Sequence, residues 1–160
     1  ELHYVNIGKS RLAGVETMCK IQINRHINVH GAYNYLYTSR DADGVRLSSS
    51  SPHSGNIRAE YNTRIPRYAT VVNLSGNIMG KKKFDVLDEL EIDGKKVEAY
   101  YQAKVNPYCL WDLTVSQYIM QNLRITAGIT NLFDYTSDRV TFNTSTSPGR
   151  NYFIACNYTL

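Results

Sequence analysis

Residues 122–131, NLRITAGITN, alternate without a break. Leu123, Ile125, Ala127 and Ile129 fall on one side; Arg124, Thr126, Gly128 and Thr130 fall on the other. A period of two is the mark of a strand with unlike faces. Six further segments carry it: residues 12–23, 27–37, 56–63, 70–79, 109–118 and the stretch that closes the chain after Gly149. In 12–23, Ala13, Val15, Cys19 and Ile21 oppose Glu16, Lys20 and Gln22. In the last stretch Tyr152, Ile154, Cys156, Tyr158 and Leu160 oppose Asn157 and Thr159. No segment has a convincing helical period, so the chain is expected to be all-β.

Alternation alone fits two architectures. In a soluble β-sandwich two apolar faces pack on each other and the polar faces meet water. In a membrane barrel the apolar face meets lipid and the polar face lines the lumen. The connections separate the two. Residues 24–26, 64–68 and 119–122 are short links, whereas 38–54, 80–108 and 132–149 are long. Short turns at one end and long loops at the other are the outer-membrane pattern. A sandwich has no reason to keep that parity. The expectation is therefore an antiparallel transmembrane β-barrel segment of about seven strands, with short periplasmic turns and long extracellular loops.

Composition agrees. Tyrosine stands at 13, against 4 Phe and 1 Trp. Its ring suits a boundary between apolar and wet surroundings. A net charge of +4 spread over 160 residues does not argue for nucleic acid, and the Lys81-Lys82-Lys83 triplet reads as a solvated loop. Cys19, Cys109 and Cys156 are odd in number and form no Cys-x-x-Cys pair, so they read as small hydrophobes and not as a disulfide framework or zinc site. Residues 1–10 hold no apolar core for a signal peptide. No run of about eighteen apolar residues exists, which leaves strands as the means of crossing a membrane.

The second long connection contains its own pattern. Residues 84–105 read as a β-hairpin turning at Asp93-Gly94. Asp85, Asp88, Glu89, Glu91 and Asp93 crowd its first arm. The spacing of a calcium loop is missing, so a solvated acidic arm facing lysines across the hairpin is expected.

These residues resemble a known family. ITAGITNLFDY, a loop, then SPGRNYFIACNYTL is similar to the C-terminal end of TonB-dependent outer-membrane receptors. The family's last hairpin carries Gly-x-x-Asn-Leu-Phe-Asp, then Pro-Gly-Arg, then a closing strand. Here these are Gly128, Asn131, Leu132, Phe133 and Asp134, then Pro148, Gly149 and Arg150. Upstream, Asn6 to Glu16 resembles the family's Asn-x-Gly-Lys-x-x-x-x-Gly-x-Glu pattern, so the resemblance spans nearly the whole chain. One departure is Leu160, where the family usually ends on an aromatic residue.

The resemblance implies that the C-terminus lies on the periplasmic side. Counting back, the first strand runs inward and residues 1–10 start outside. Residues 1–160 are then expected to be the C-terminal part of a larger, roughly 22-stranded plugged barrel, with the plug and earlier strands outside this chain. A cut in an external loop, where proteases reach, would account for such a start. An autonomous small outer-membrane barrel is the alternative, as is a soluble β-sandwich with a structural or binding role.

No Gly-x-Ser-x-Gly, His-Glu-x-x-His or phosphate loop is present, so no catalytic residue, metal site or cofactor is expected. His30 reads as lumen polarity; His3 and His53 read as loop residues, His53 just ahead of the third strand. Glu16, Lys20, Arg58, Glu60, Asp112 and Arg124 share the polar faces and are expected to form charge ladders. Ligand contacts are expected from aromatic residues of the outer loops: Tyr100, Tyr101, Tyr135 and Phe142. The resemblance implies uptake of a scarce bulky nutrient: an iron chelate, haem, cobalamin or a glycan. The expected partners are the rest of the barrel and its plug, the TonB complex through the missing N-terminal part, lipid, and the small nutrient itself.

Overall fold

The computed structural model describes residues 11–39, 51–92, 95–120, 122–136 and 148–159. Nine strands and no helix occur among the described residues. In chain order they are β1 (Leu12–Gln22), β2 (Ile27–Thr38), β3 (His53–Asn62), β4 (Thr70–Met79), β5 (Lys82–Ile92), β6 (Lys95–Val105), β7 (Tyr108–Ile119), β8 (Leu123–Thr130) and β9 (Asn151–Tyr158).

Seven of them form one antiparallel sheet in the order β1-β2-β3-β4-β7-β8-β9. The sheet is open, with β1 and β9 at its two edges. Each ladder runs in unbroken register. Leu12 to Gln22 meet Thr38 to Asn28 without a slipped residue, and Thr70 to Met79 meet Gln117 to Tyr108 in the same way. An unbroken ladder keeps odd and even positions on opposite faces across the whole sheet. Alternation along each strand thus becomes rows across the sheet.

One such row shows why the register is this one. Ile21, Val29, Ala59, Leu74, Leu113, Ile129 and Tyr152 are successive partners from β1 to β9. A shift of one residue in any strand would put an apolar side chain among polar ones. Among the described residues the apolar face nevertheless has nothing packed on it: Val15 is 64% exposed, Ile21 54% and Ile154 78%. No large side chain is fully buried among the described residues. In a soluble domain such a surface marks a contact face; in a barrel it is the lipid face. The sandwich alternative lacks its other half: among the described residues the second sheet has two strands, β5 and β6, and they pack on no strand of the first. An autonomous closed barrel is equally at odds with a sheet whose edges do not meet.

The long-connection end of the apolar face carries an aromatic cluster. The Tyr33 hydroxyl lies 2.7 Å from His53 Nδ1, and the Tyr35 and His53 rings are 5.1 Å apart. His53 was expected in a loop and instead opens β3. Ser54 and Gly55 offer no apolar alternation, yet their backbones pair with Asn34 and Tyr33, and this lengthens the strand.

The short links are tied by side chains. Asn24 Oδ1 accepts the backbone N–H groups of His26 (2.8 Å) and Ile27 (2.9 Å), closing the β1–β2 turn. Thr70 Oγ1 donates to Gln117 Oε1 at 2.6 Å, and Gln117 Nε2 donates to the Tyr68 and Ala69 carbonyls. The β3–β4 turn is thereby fastened to β7.

The expected hairpin is present as β5–β6, a separate two-stranded ribbon whose arms end at Ile92 and begin again at Lys95. Asp93 and Gly94, the expected turn, lie outside the described residues. The expected matching of acids to lysines holds only in part. Glu91 is opposite Lys96, but Glu89 is opposite Glu98 and Asp85 opposite Gln102. The ribbon packs against no strand of the large sheet among the described residues.

Candidate functional site

Two features of the sheet concentrate polar chemistry. The first is the link from β8 to β9. Asn131 and Asp134 both have left-handed backbone, at φ 53° and 56°. Asn and Asp tolerate that region better than most residues. Asn131 is only 5% exposed, and its side chain is fully used. Its Oδ1 accepts the Tyr135 backbone N–H at 2.8 Å; its Nδ2 donates to the Tyr135 carbonyl at 2.7 Å and the Pro148 carbonyl at 3.2 Å. A side-chain amide supplies the acceptor and both donors that these three bonds need.

The clamp extends in both directions. The Asn131 backbone N–H donates to Asp112 Oδ1 at 2.9 Å, and the Leu132 N–H donates to the Trp111 carbonyl at 2.6 Å. Asp134 Oδ1 accepts the Arg150 backbone N–H at 2.7 Å. A Cβ on Gly149 would stand 3.0 Å from that same oxygen, which explains the glycine ahead of Arg150. A Cβ on Gly128 would run into the ring of Phe153, its partner across the ladder. Arg150 Nη1 lies 3.5 Å from the Tyr152 hydroxyl, and this hydrogen bond raises the guanidinium pKa above its ordinary value. Phe133, in contrast, is 69% exposed.

The second feature is the polar face, which sorts into rows. The outermost row to run through β1, β2, β3, β4 and β7 is Glu16, Asn34, Ser54, Met79 and Tyr108. Next come Met18, Ala32, Asn56, Asn77 and Leu110. Charge is concentrated in the third row, Lys20, His30, Arg58, Ser75 and Asp112. Arg58 reaches toward the short-turn end: Nε and Nη2 donate to Asn73 Oδ1 at 3.2 and 2.9 Å, and Nη2 is 3.7 Å from Glu60 Oε2. Of the expected charge ladder across neighbouring strands, the described residues show this one ion pair, and it lies within β3; Asp112 instead accepts a backbone N–H from Asn131. An open groove of about 220 Å³ lies over the first two rows and is lined by Glu16, Asn34, Ser54, Asn56, Asn77 and Met79 among others. Beside it, Tyr108 and Tyr135 stack with centroids 5.0 Å apart and planes 10° from parallel.

Residues 2–132 match the sequence model of the family described as TonB dependent receptor-like, beta-barrel. The chain belongs to the TonB-dependent receptors. Its place is the bacterial outer membrane, and the family is one of receptors and not of enzymes. Solved receptors share the fold. The ferric enterobactin receptor of Pseudomonas aeruginosa, in a mutant form, is 19% identical, with a TM-score of 0.77 over 96% of this chain and 23% of that one. The ferripyoverdine receptor of the P. aeruginosa outer membrane is 17% identical, with a TM-score of 0.72 over 93% and 19%. The siderophore receptor PirA of Acinetobacter baumannii is 18% identical, with a TM-score of 0.71 over 92% and 22%. The chain thus spans about a fifth of the length of these receptors. No curated protein matches it.

Within this TonB-dependent receptor segment, the terminal motif residues converge. Asn131, Asp134, Gly149 and Arg150 form one clamp to which Pro148 contributes its carbonyl, and Gly128 makes room beside it for the Phe153 ring. Of the aromatic residues expected in outer loops, Tyr135 sits at the foot of the β8–β9 connection, stacked on Tyr108. Tyr100 and Tyr101 lie within β6, and Phe142 lies outside the described residues. The thiols of Cys19, Cys109 and Cys156 are free. The groove residues Asn34, Ser54, Asn56 and Asn77 and the ring of Tyr108 were not singled out from sequence. Alternation puts Asn34, Asn56 and Asn77 on a polar face, but only the register brings them side by side with Ser54 and Tyr108.

Proposed function

We propose that the receptor containing this chain takes up ferric siderophores across the outer membrane, energised through TonB. The observation that carries this is family membership over residues 2–132 joined to a sheet that follows siderophore receptors over more than nine-tenths of the chain, from 92% to 96%. In this reading residues 1–160 are the C-terminal wall of the barrel. The earlier strands, the plug and the TonB-contacting segment belong to the rest of the receptor, in the same or a companion chain. The apolar face meets lipid. The charged third row faces the plug, where ion pairs can be mutually satisfied. Tyr100, Tyr101, Tyr135 and Phe142 contribute ligand contacts from the outer side.

The test is uptake of radioactive iron, supplied as ferric siderophores, by iron-starved cells. Deleting the receptor gene abolishes uptake of its chelate, and loss of TonB does the same. Unchanged iron uptake in the deletion strain, with loss of haem, cobalamin or glycan uptake instead, overturns the reading.

A further inference from the structure

We propose that the outer two rows of the polar face are a contact wall for an uncharged, hydrogen-bonding ferric chelate of the hydroxamate class. This rests on the uptake reading and names the ligand chemistry within it. Those rows present a carboxylate at Glu16, amides at Asn34, Asn56 and Asn77, and a hydroxyl at Ser54. Asn56 and Asn77 are direct partners across β3 and β4, and all these residues line the same groove. An amide donates and accepts at once. A ladder of amides therefore suits a ligand whose rim carries carbonyl oxygens and N–H or O–H groups without net charge.

The flank of the groove supports the same class. Met79 lines it and is the partner of Tyr108, whose ring is stacked on Tyr135. Two stacked rings give a flat apolar wall that desolvates a neutral ligand at little cost. A trianionic catecholate chelate needs cations instead. The nearest guanidinium on this sheet, Arg58, is turned away toward Asn73 and Glu60. Across the row of Lys20 and the two rows outward of it, plus the row of Glu60, the carboxylates Glu16, Glu60 and Asp112 outnumber Lys20 and Arg58.

The experiment is fluorescence titration of the full-length receptor in detergent with two probes, a neutral ferric trihydroxamate and a trianionic ferric tricatecholate. The trihydroxamate is expected to bind more tightly, with an affinity that changes less than about twofold between about 0.05 and 0.5 M salt. The Asn56→Ala/Asn77→Ala double variant is expected to weaken it about tenfold, through lost hydrogen bonds, and to leave the tricatecholate unchanged. The Asn77→Lys variant guards against a folding defect, because it is expected to tighten tricatecholate binding at least about fivefold. Tighter binding of the tricatecholate to the unaltered receptor, or a double variant that binds the trihydroxamate as before, overturns the inference and leaves iron uptake standing. Binding of neither probe overturns the inference, and the iron-uptake assay decides the uptake reading by itself.

Discussion

Asn131 is the residue on which the end of the sheet depends most. Its amide joins Tyr135 and Pro148 across the base of the last long connection, at only 5% exposure. Asn131→Asp would set a carboxylate against two carbonyl oxygens. The expected cost is about 1–3 kcal/mol, more than for a surface substitution. Semi-native electrophoresis of the full-length receptor checks it: the heat-induced mobility shift should move to lower temperature for Asn131→Asp. Gly128→Val is expected to impair assembly as well, since its side chain would occupy the space of the Phe153 ring. The partner exchange Gly128→Val/Phe153→Ala should recover part of the loss, which a backbone-conformation effect at residue 128 alone would not allow. These motif positions were readable as a resemblance in the sequence. Their physical reasons were not, because Asp112, Trp111 and Pro148 become neighbours of Asn131 only once β7 and β9 flank β8.

At the scale of elements, period two sufficed to find the strands of the large sheet, and loop parity sufficed to order their ends. Leu113, Val115 and Ile129 declare their face directly. His53–Gly55 escaped because small polar residues carry no alternation, although their backbones pair as fully as any. The rows of the polar face were out of reach for a different reason: a strand's pattern says which side a residue takes but not which neighbour it meets. Two expectations belong here. Ile154→Arg, on the lipid face of β9, should cost about 2–4 kcal/mol in folding into bilayers, while Ala155→Arg, on the polar face, should cost far less. Urea titration of the full-length receptor in vesicles measures both. Replacing the β5–β6 ribbon by a short Gly-Ser link should leave assembly intact, because among the described residues the ribbon packs on no strand of the large sheet. A loss of outer-membrane receptor after that replacement, seen by cell fractionation, would contradict it.

For the molecule as a whole, the decisive facts are an open sheet, two unlike faces and, among the described residues, no fully buried large side chain. Each is unfavourable for an isolated soluble domain and each is ordinary for one arc of a barrel, where neighbours close the edges and lipid and plug cover the faces. The family match and the shared fold of the siderophore receptors put this arc in the outer membrane. Nitroxide labels placed singly at residues 109–118 of β7, in the full-length receptor in lipid bilayers, test that arrangement most directly. Relaxation by oxygen, which concentrates in lipid, should peak at positions 109, 111, 113 and 115. Relaxation by a water-soluble nickel chelate should peak instead at 110, 112, 114 and 116. Uniform access of the nickel chelate along both sets, with no period of two, would contradict a lipid-facing barrel wall.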